Sequence, residues 1–172
     1  PRAEIIKFLD YLGMINSKIK SVMVVGGSKI GYYLAINLLD SGYKVIMIDS
    51  SKERCEELSL LLPGVTVICG DGTDQELLLE EGISQVDAFI SLTGMDEENI
   101  ITSMFANSIK VPKVICKINR QNFVPMAEAT GVASIISPKS IASNRIVSYI
   151  RALGARHGSG VVTLYKLVND EV

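Results

Sequence analysis

Tryptophan is absent from this 172-residue chain, histidine occurs once, and the three cysteines show no C-x-x-C spacing. Without a Cys/His ligand pattern there is no basis for a zinc module. An odd number of thiols also argues against a disulfide framework. Cys55, Cys69 and Cys116 are therefore expected to be buried, reduced thiols; the last two sit at the ends of apolar runs. The net charge is −2, and no basic stripe is interleaved with aromatics, so an electrostatic nucleic-acid surface is excluded. No apolar run approaches the roughly 18 residues that a membrane span needs, and no signal peptide is visible. There is no Tyr-x-x-x-Lys pair and no Ser/His/Asp set. The single histidine, His157, lies in the glycine-rich loop Gly154-Ala-Arg-His-Gly-Ser-Gly160, away from the region that reads as alternating strand and helix. Internal repeats and low-complexity tracts are also missing.

What the chain has is apolar content: 48% hydrophobic residues and a mean hydropathy of +0.31. Parallel strands buried on both faces read as continuous apolar runs and account for this. Strands are expected at Ser21–Val25, Lys44–Ile48, Val65–Cys69, Val86–Leu92, Lys113–Ile118 and Ala133–Ile136. Helices are expected at Ser28–Asp40, from a cap at Ser50 or Ser51 to about Leu61, at Gln75–Glu81 with Thr73 or Asp74 as its cap, at Met95–Ile109, at Arg120–Thr130 with Pro125 near its first turn or kinking it, and from Pro138 to about Leu153. This alternation predicts right-handed crossovers and an α/β, Rossmann-like doubly wound parallel six-stranded sheet in the order 3-2-1-4-5-6. An amphipathic N-terminal stretch, Ala3–Met14, reads as a linker helix, and Val161–Val168 reads as a truncated C-terminal strand. The chain does not begin with Met and stops within that strand-like stretch, so both ends are expected to continue into a longer polypeptide. The expected organisation is a linker at 1–19, a nucleotide-binding domain at 20–153 and the start of another subdomain at 154–172.

The most informative segment is Val22-Met-Val-Val-Gly-Gly-Ser-Lys-Ile-Gly31, followed by Asp49 at the end of the second strand. It is close to the dinucleotide fingerprint, with Ser28 in place of the middle glycine. Gly26 permits the tight turn, Gly27 adds backbone freedom, and Gly31 allows close packing of helix on sheet. The amides from Ser28 to Ile30 open a helix and suit a phosphate, with Lys29 adding a cation. The Ser28 side chain either crowds the phosphates or donates its hydroxyl to them. Asp49 can accept both ribose hydroxyls and would repel a 2′-phosphate, which favours NAD(H) or an adenosine nucleotide over NADP. Asp71 can reach an adenine amine or simply close an Asx turn. Thr93 and Gly94 follow the fourth strand across the point where strand order reverses. Lys117 ends the fifth strand and faces the phosphates if it points into the crevice. Asp96, Glu97 and Glu98 read as first-turn acids that compensate a helix dipole. No general acid or base stands beside a nicotinamide position. The residues alone leave open a sensor, the cofactor-binding half of an NAD-dependent oxidoreductase, or a degenerate domain that only dimerises.

Several segments together carry a resemblance: Val25-Gly-Gly-Ser-Lys-Ile-Gly31, Gly70-Asp-Gly-Thr-Asp-Gln-Glu-Leu-Leu78, Ala88-Phe-Ile-Ser-Leu-Thr93, Asp96-Glu-Glu-Asn-Ile100, Lys113-Val-Ile-Cys-Lys-Ile118 and Ile136-Ser-Pro138. Over residues 20–153 the chain resembles the RCK (KTN, TrkA-N) domains that regulate potassium channels and transporters. The likeness is to the second RCK domain of Trk-type potassium-uptake regulatory subunits. The resemblance implies a non-enzymatic gating domain, cytoplasmic and peripheral at the inner face of the cell membrane. Its implied partners are a membrane potassium transporter subunit and other RCK domains in at least a dimer, without membrane insertion of its own. The implied cofactor is NAD(H), or alternatively ATP/ADP, held by Gly26, Gly27, Ser28, Lys29, Ile30, Asp49, Asp71, Thr93, Gly94 and Lys117. The last helix would be a crossover that pairs two such domains through Ile141, Ile146, Val147 and Ile150.

Overall fold

Short runs of β-branched and apolar residues form six strands: β1 (Ser21–Val25), β2 (Lys44–Asp49), β3 (Val65–Cys69), β4 (Ala88–Ser91), β5 (Lys113–Lys117) and β6 (Ser134–Ile136). Among the described residues six helices connect and follow them: α1 (Lys29–Asp40), α2 (Lys52–Leu61), α3 (Gln75–Glu80), α4 (Asp96–Ser108), α5 (Val124–Ala129) and α6 (Pro138–Ala155). The computed structural model describes residues 19–155, Ala133 excepted. The expected linker helix, the C-terminal strand and His157 lie outside the described residues. Two compact units divide the chain, the first ending at Ser137 and the second beginning with α6 at Pro138. No described helix is long and apolar enough to cross a membrane.

The sheet is all-parallel in the order β3-β2-β1-β4-β5-β6, as the alternation of elements predicts. Along β1, residues alternate between the two faces, because successive side chains of a strand point oppositely. Val22 and Val24 join Ala35 of α1 and Leu58 of α2 in one core cluster. Met23 and Val25 join Leu78 of α3 and Ala106 of α4 in another. Both faces of the central strands are thus dry, which explains the high hydropathy. Fully buried side chains such as Met23, Met47 and Phe89 each contribute about 1.5–3 kcal/mol relative to exposure. The edge strand β3 is only half-buried, and its alternating Val65-Thr66-Val67 reflects that.

The register sets the functional geometry. Val25 pairs with Ile48 on one side and Ser91 on the other, so β1, β2 and β4 end level with one another. The chain leaves β1 toward β2 and returns through β4 on the opposite side, and a crevice opens where strand order reverses.

The helix boundaries decide between two expected caps and depart from expectation in two places. Asp74, not Thr73, caps α3; its carboxylate accepts from the amides of Glu76 (2.9 Å) and Leu77 (3.4 Å). The expected Arg120–Thr130 helix is a 3-10 turn, Gln121–Phe123, followed by α5, because Pro125 fits only the first turn of a helix. A further 3-10 turn, Ile83–Gln85, begins at Gly82, whose left-handed conformation reverses the chain after α3.

Candidate functional site

Gly26 is where the backbone leaves β1, at φ +106°. A Cβ on it would lie 2.8 Å from the Leu92 carbonyl carbon and 2.9 Å from the Thr93 amide nitrogen. The turn therefore runs directly against the end of β4. Five residues on, a Cβ on Gly31 would lie 2.3 Å from the Gly26 carbonyl oxygen, so α1 begins in backbone contact with the turn. These two glycines are required by close approach, and together they aim the amino end of α1 at the crevice.

That helix end differs from those of α2 and α3. Ser28 is the N-cap residue of α1, yet its side chain caps no amide, and the first turn has no acid. In contrast, Ser51 caps α2 and Asp74 caps α3 with side-chain acceptors, and each of those helices has a Glu in its first turn. The amides of α1 keep their hydrogen-bonding capacity and the positive end of its dipole.

Asp49 faces this turn. Its carboxylate accepts from the Gly27 amide at 2.7 Å and the Ser51 amide at 2.9 Å. It therefore ties the glycine turn to the start of α2. Each carboxylate oxygen has a second lone pair that these amides do not use. Asp71 holds an Asx turn instead, accepting from the Thr73 amide (2.8 Å) and hydroxyl (2.7 Å). These bonds keep its carboxyl below the usual carboxylate range. Both aspartates, with Gly26, Ser28, Thr93 and Gly94, line a cavity of about 540 Å³, within the size range of small-molecule sites.

Four expected residues stand outside that lining. Gly27 turns its amide to Asp49, while Lys29 and Ile30 lie exposed on the first turn of α1. Lys117 is only 6% exposed, and its ammonium donates to the Leu92 carbonyl at 3.2 Å. Burial pushes its pKa below the ordinary lysine value, with Asp96 opposing. Lys117 thus braces the end of β4 from behind the cavity.

Arg54 and Asn99 do work that local sequence patterns do not announce. Arg54 lines the cavity, donates from Nε to the Gly27 carbonyl at 2.6 Å and pairs with Glu57. A cation in the first turn of a helix runs against its dipole, which was the available signal. Asn99 is buried and holds the β4–α4 loop by three bonds. It accepts from the Thr93 amide at 2.8 Å and donates to the carbonyls of Thr93 (3.2 Å) and Lys117 (3.0 Å). It lies within Asp96-Glu-Glu-Asn-Ile100, one of the segments that carry the resemblance.

Two expectations need correction. Asp96 is more than a first-turn acid at a helix end. It is 2% exposed and accepts from the Asn119 amide (2.8 Å), the Asn119 side chain (3.0 Å), the Arg120 amide (2.9 Å) and the Arg120 Nε (3.2 Å). Burial works to raise its pKa, but the amides of Asn119 and Arg120 and the guanidinium outweigh it and hold the carboxyl low. Asp96 thereby clasps α4 to the loop after β5. The second correction concerns Cys69, which is exposed, whereas Cys55 and Cys116 are buried as expected. Cys69 ends an edge strand, where only one side of the ladder is covered.

A doubly wound parallel sheet with a glycine turn, an uncapped helix start and an acid at the end of β2 defines a dinucleotide-binding type of fold. Residues 22–138 match the TrkA-N domain family, and the chain belongs to that family. It is 36% identical over 134 residues to a Trk system potassium uptake protein TrkA homolog of Archaeoglobus fulgidus, covering 78% of this chain and 31% of that protein. It is 37% identical over 143 residues to the Trk system potassium uptake protein TrkA of Vibrio alginolyticus, covering 83% and 31%. The chain thus spans about a third of the length of these relatives. Among solved structures, the Shewanella denitrificans Kef C-terminal domain in an AMP-bound form superposes with a TM-score of 0.65 at 18% identity, covering 78% of this chain and 82% of that one. The GsuK channel bound to NAD superposes with a TM-score of 0.61 at 15% identity, covering 72% and 22%. At these identities the likeness shows the fold alone.

Proposed function

We propose that this chain is a nucleotide-binding regulatory domain of a potassium uptake transporter or channel, working as a ligand-dependent conformational switch. The observation that carries the reading is the uncapped start of α1 opening beside Asp49 on one cavity. An adenosine 5′-phosphate fits both halves of that arrangement. The phosphate takes the amides from Ser28 to Ile30 and the Ser28 hydroxyl, with Lys29 adding positive charge nearby. The ribose hydroxyls take the free lone pairs of Asp49, and Asp71 meets the adenine amine. Thr93 and Gly94, held by Asn99, receive whatever lies beyond the first phosphate. Lys117 acts through Leu92 rather than by touching the ligand.

The named ligands of the two structural neighbours, AMP and NAD, share the adenosine 5′-phosphate unit and support this choice. NAD(H) is the favoured ligand, with ATP or ADP as the alternative. The family relatives named as Trk potassium uptake proteins support a partnership with a membrane potassium transporter and with further RCK domains. Such a chain works at the cytoplasmic face of the membrane. In α6, Ile141, Ile146, Val147 and Ile150 are exposed, which supports pairing through that helix. The titratable residues lining the cavity are Asp49, Arg54, Asp71 and Glu98, and the reading assigns them to binding. Nucleotide then biases paired domains toward one orientation by no more than its difference in affinity between the two.

Isothermal calorimetry with NADH, NAD, ATP, ADP and AMP tests the reading. Saturable binding of at least one is expected. No heat from any of them at millimolar concentration overturns it.

A further inference from the structure

Cys55 and Cys69 lie far apart in the chain, but α2 and β3 bring them to one place. Cys69 is the last residue of the edge strand and pairs across the ladder with Asp49. Cys55 lies on α2 with its thiol directed at that same row. Its Sγ donates to the Asp49 carbonyl at 3.2 Å and approaches the Ile68 carbonyl at 3.7 Å. Ile68 immediately precedes Cys69. Burial pushes the Cys55 thiol up to about 11, and the neighbouring Cys69 thiol adds to the shift. Both cysteines line a surface cleft of about 510 Å³, together with Lys52, Glu56 and Ser59.

We propose that Cys55 and Cys69 form a redox-sensitive thiol pair that hydrogen peroxide closes to a disulfide between α2 and β3. The roles follow from exposure. Cys69 is exposed and meets the oxidant first. Its sulfur attacks the peroxide, an S–O bond forms as the O–O bond breaks, and the thiol proton leaves with the departing oxygen as water. The Cys55 sulfur, buried and high in pKa, is a poor first nucleophile but is already in place. It attacks the Cys69 sulfenic acid, the S–S bond forms, the S–O bond breaks, and the Cys55 proton leaves with hydroxide as a second water. Two thiols lose two electrons in all, and one peroxide gains them.

Closure consumes the S–H that the Asp49 carbonyl accepts. It also fixes the two Cβ atoms at the disulfide spacing of about 3.8 Å. Ser51 and Arg54, which tie α2 to Asp49 and Gly27, precede Cys55 within the same stretch of α2. The disulfide therefore shifts one wall of the cavity, and, on the nucleotide reading above, oxidation weakens nucleotide binding.

Trypsin separates the thiols usefully. Cys55 and Cys69 fall on the peptide 55–110, and Cys116 falls on the peptide 114–117. The chain is treated with hydrogen peroxide, denatured, labelled with N-ethylmaleimide and digested. The expected product is peptide 55–110 without label and lighter by two hydrogens, beside a labelled Cys116 peptide. Cys69→Ser should leave Cys55 labelled, and Cys55→Ala should let Cys69 run on to sulfinic acid. A labelled Cys55 beside a sulfinic Cys69 in the unsubstituted chain, or a dimer joined through Cys69, overturns the proposal. In a parallel arm, NADH and AMP affinity should fall on oxidation and return with dithiothreitol; affinity unchanged by a formed disulfide removes the coupling to the cavity. Should the reduced chain bind none of NADH, NAD, ATP, ADP and AMP, the nucleotide reading fails, and the peptide masses still decide the thiol pair.

Discussion

Replacing Asp49 with alanine should destabilise the protein before any nucleotide is added. In the usual account this acid serves the ribose, and its loss shows only in affinity. Here the carboxylate also receives the amides of Gly27 and Ser51. Gly27 is buried, so its amide would be left without a partner and without water. Such an orphaned donor costs about 1–3 kcal/mol. Ser51 is exposed, and water replaces its acceptor at small cost. The sum is about 2 kcal/mol, which in a chain of this size lowers the melting temperature by roughly 4–8 °C. Asp49→Asn separates the two roles. Its amide oxygen can stay on Gly27 while its NH₂ turns toward exposed Ser51, so it should melt within about 3 °C of the unsubstituted chain yet bind nucleotide more weakly. Differential scanning calorimetry with and without NADH reads both quantities. An Asp49→Ala protein that melts at the original temperature without nucleotide would refute the reasoning, because the buried Gly27 amide would then have no need of Asp49.

Gly31→Ala places a methyl group 2.3 Å from the Gly26 carbonyl oxygen, and backbone cannot yield as a side chain can. Overpacking of this kind costs about 1–3 kcal/mol, and urea melts should show it together with loss of nucleotide binding. Asp96 carries an acid-side prediction. Its folded pKa lies below its unfolded one, so its contribution is whole above the ordinary carboxylate range and is lost as pH falls through the folded value. Asp96→Asn should cost about 2 kcal/mol at pH 7 and flatten that part of the stability curve; urea melts across the acid range would show a parallel curve if the assignment is wrong.

Much of the frame was legible because it rests on local pattern. Strand and helix alternate with clear breaks, and the buried strands are written as Val22-Met-Val-Val25, Val45-Ile-Met-Ile48 and Ala88-Phe-Ile90. Gly26, Gly31 and Asp49 sit at the spacings of a strand–turn–helix–strand unit. Thr93 and Gly94 follow β4 and so had to reach the point of strand reversal. Other assignments turned on geometry that spacing does not carry. Nothing in the stretch around Cys69 distinguishes the end of a covered strand from the end of an edge strand. Lys117 ends a strand that points toward the crevice, but rotamer and burial send its ammonium to Leu92. Asp96 looks like any first-turn acid until Asn119 and Arg120 are seen to close on it.

By itself the sequence determined that this chain is a six-stranded doubly wound sheet with a glycine turn at the point of strand reversal and an acid opposite. Periodicity, glycine and chain-order rules act over a few residues or a single crossover, and they survive without knowledge of neighbours. Only the tertiary structure decided that Asp49 spends part of its bonding on Gly27 and Ser51, that Arg54 and Asn99 hold the cavity's two rims, and that Cys55 and Cys69 line one cleft. Each of these depends on how far a side chain from one element reaches into another. That distance is set by packing across the sheet and between helix and strand, not by position along the chain.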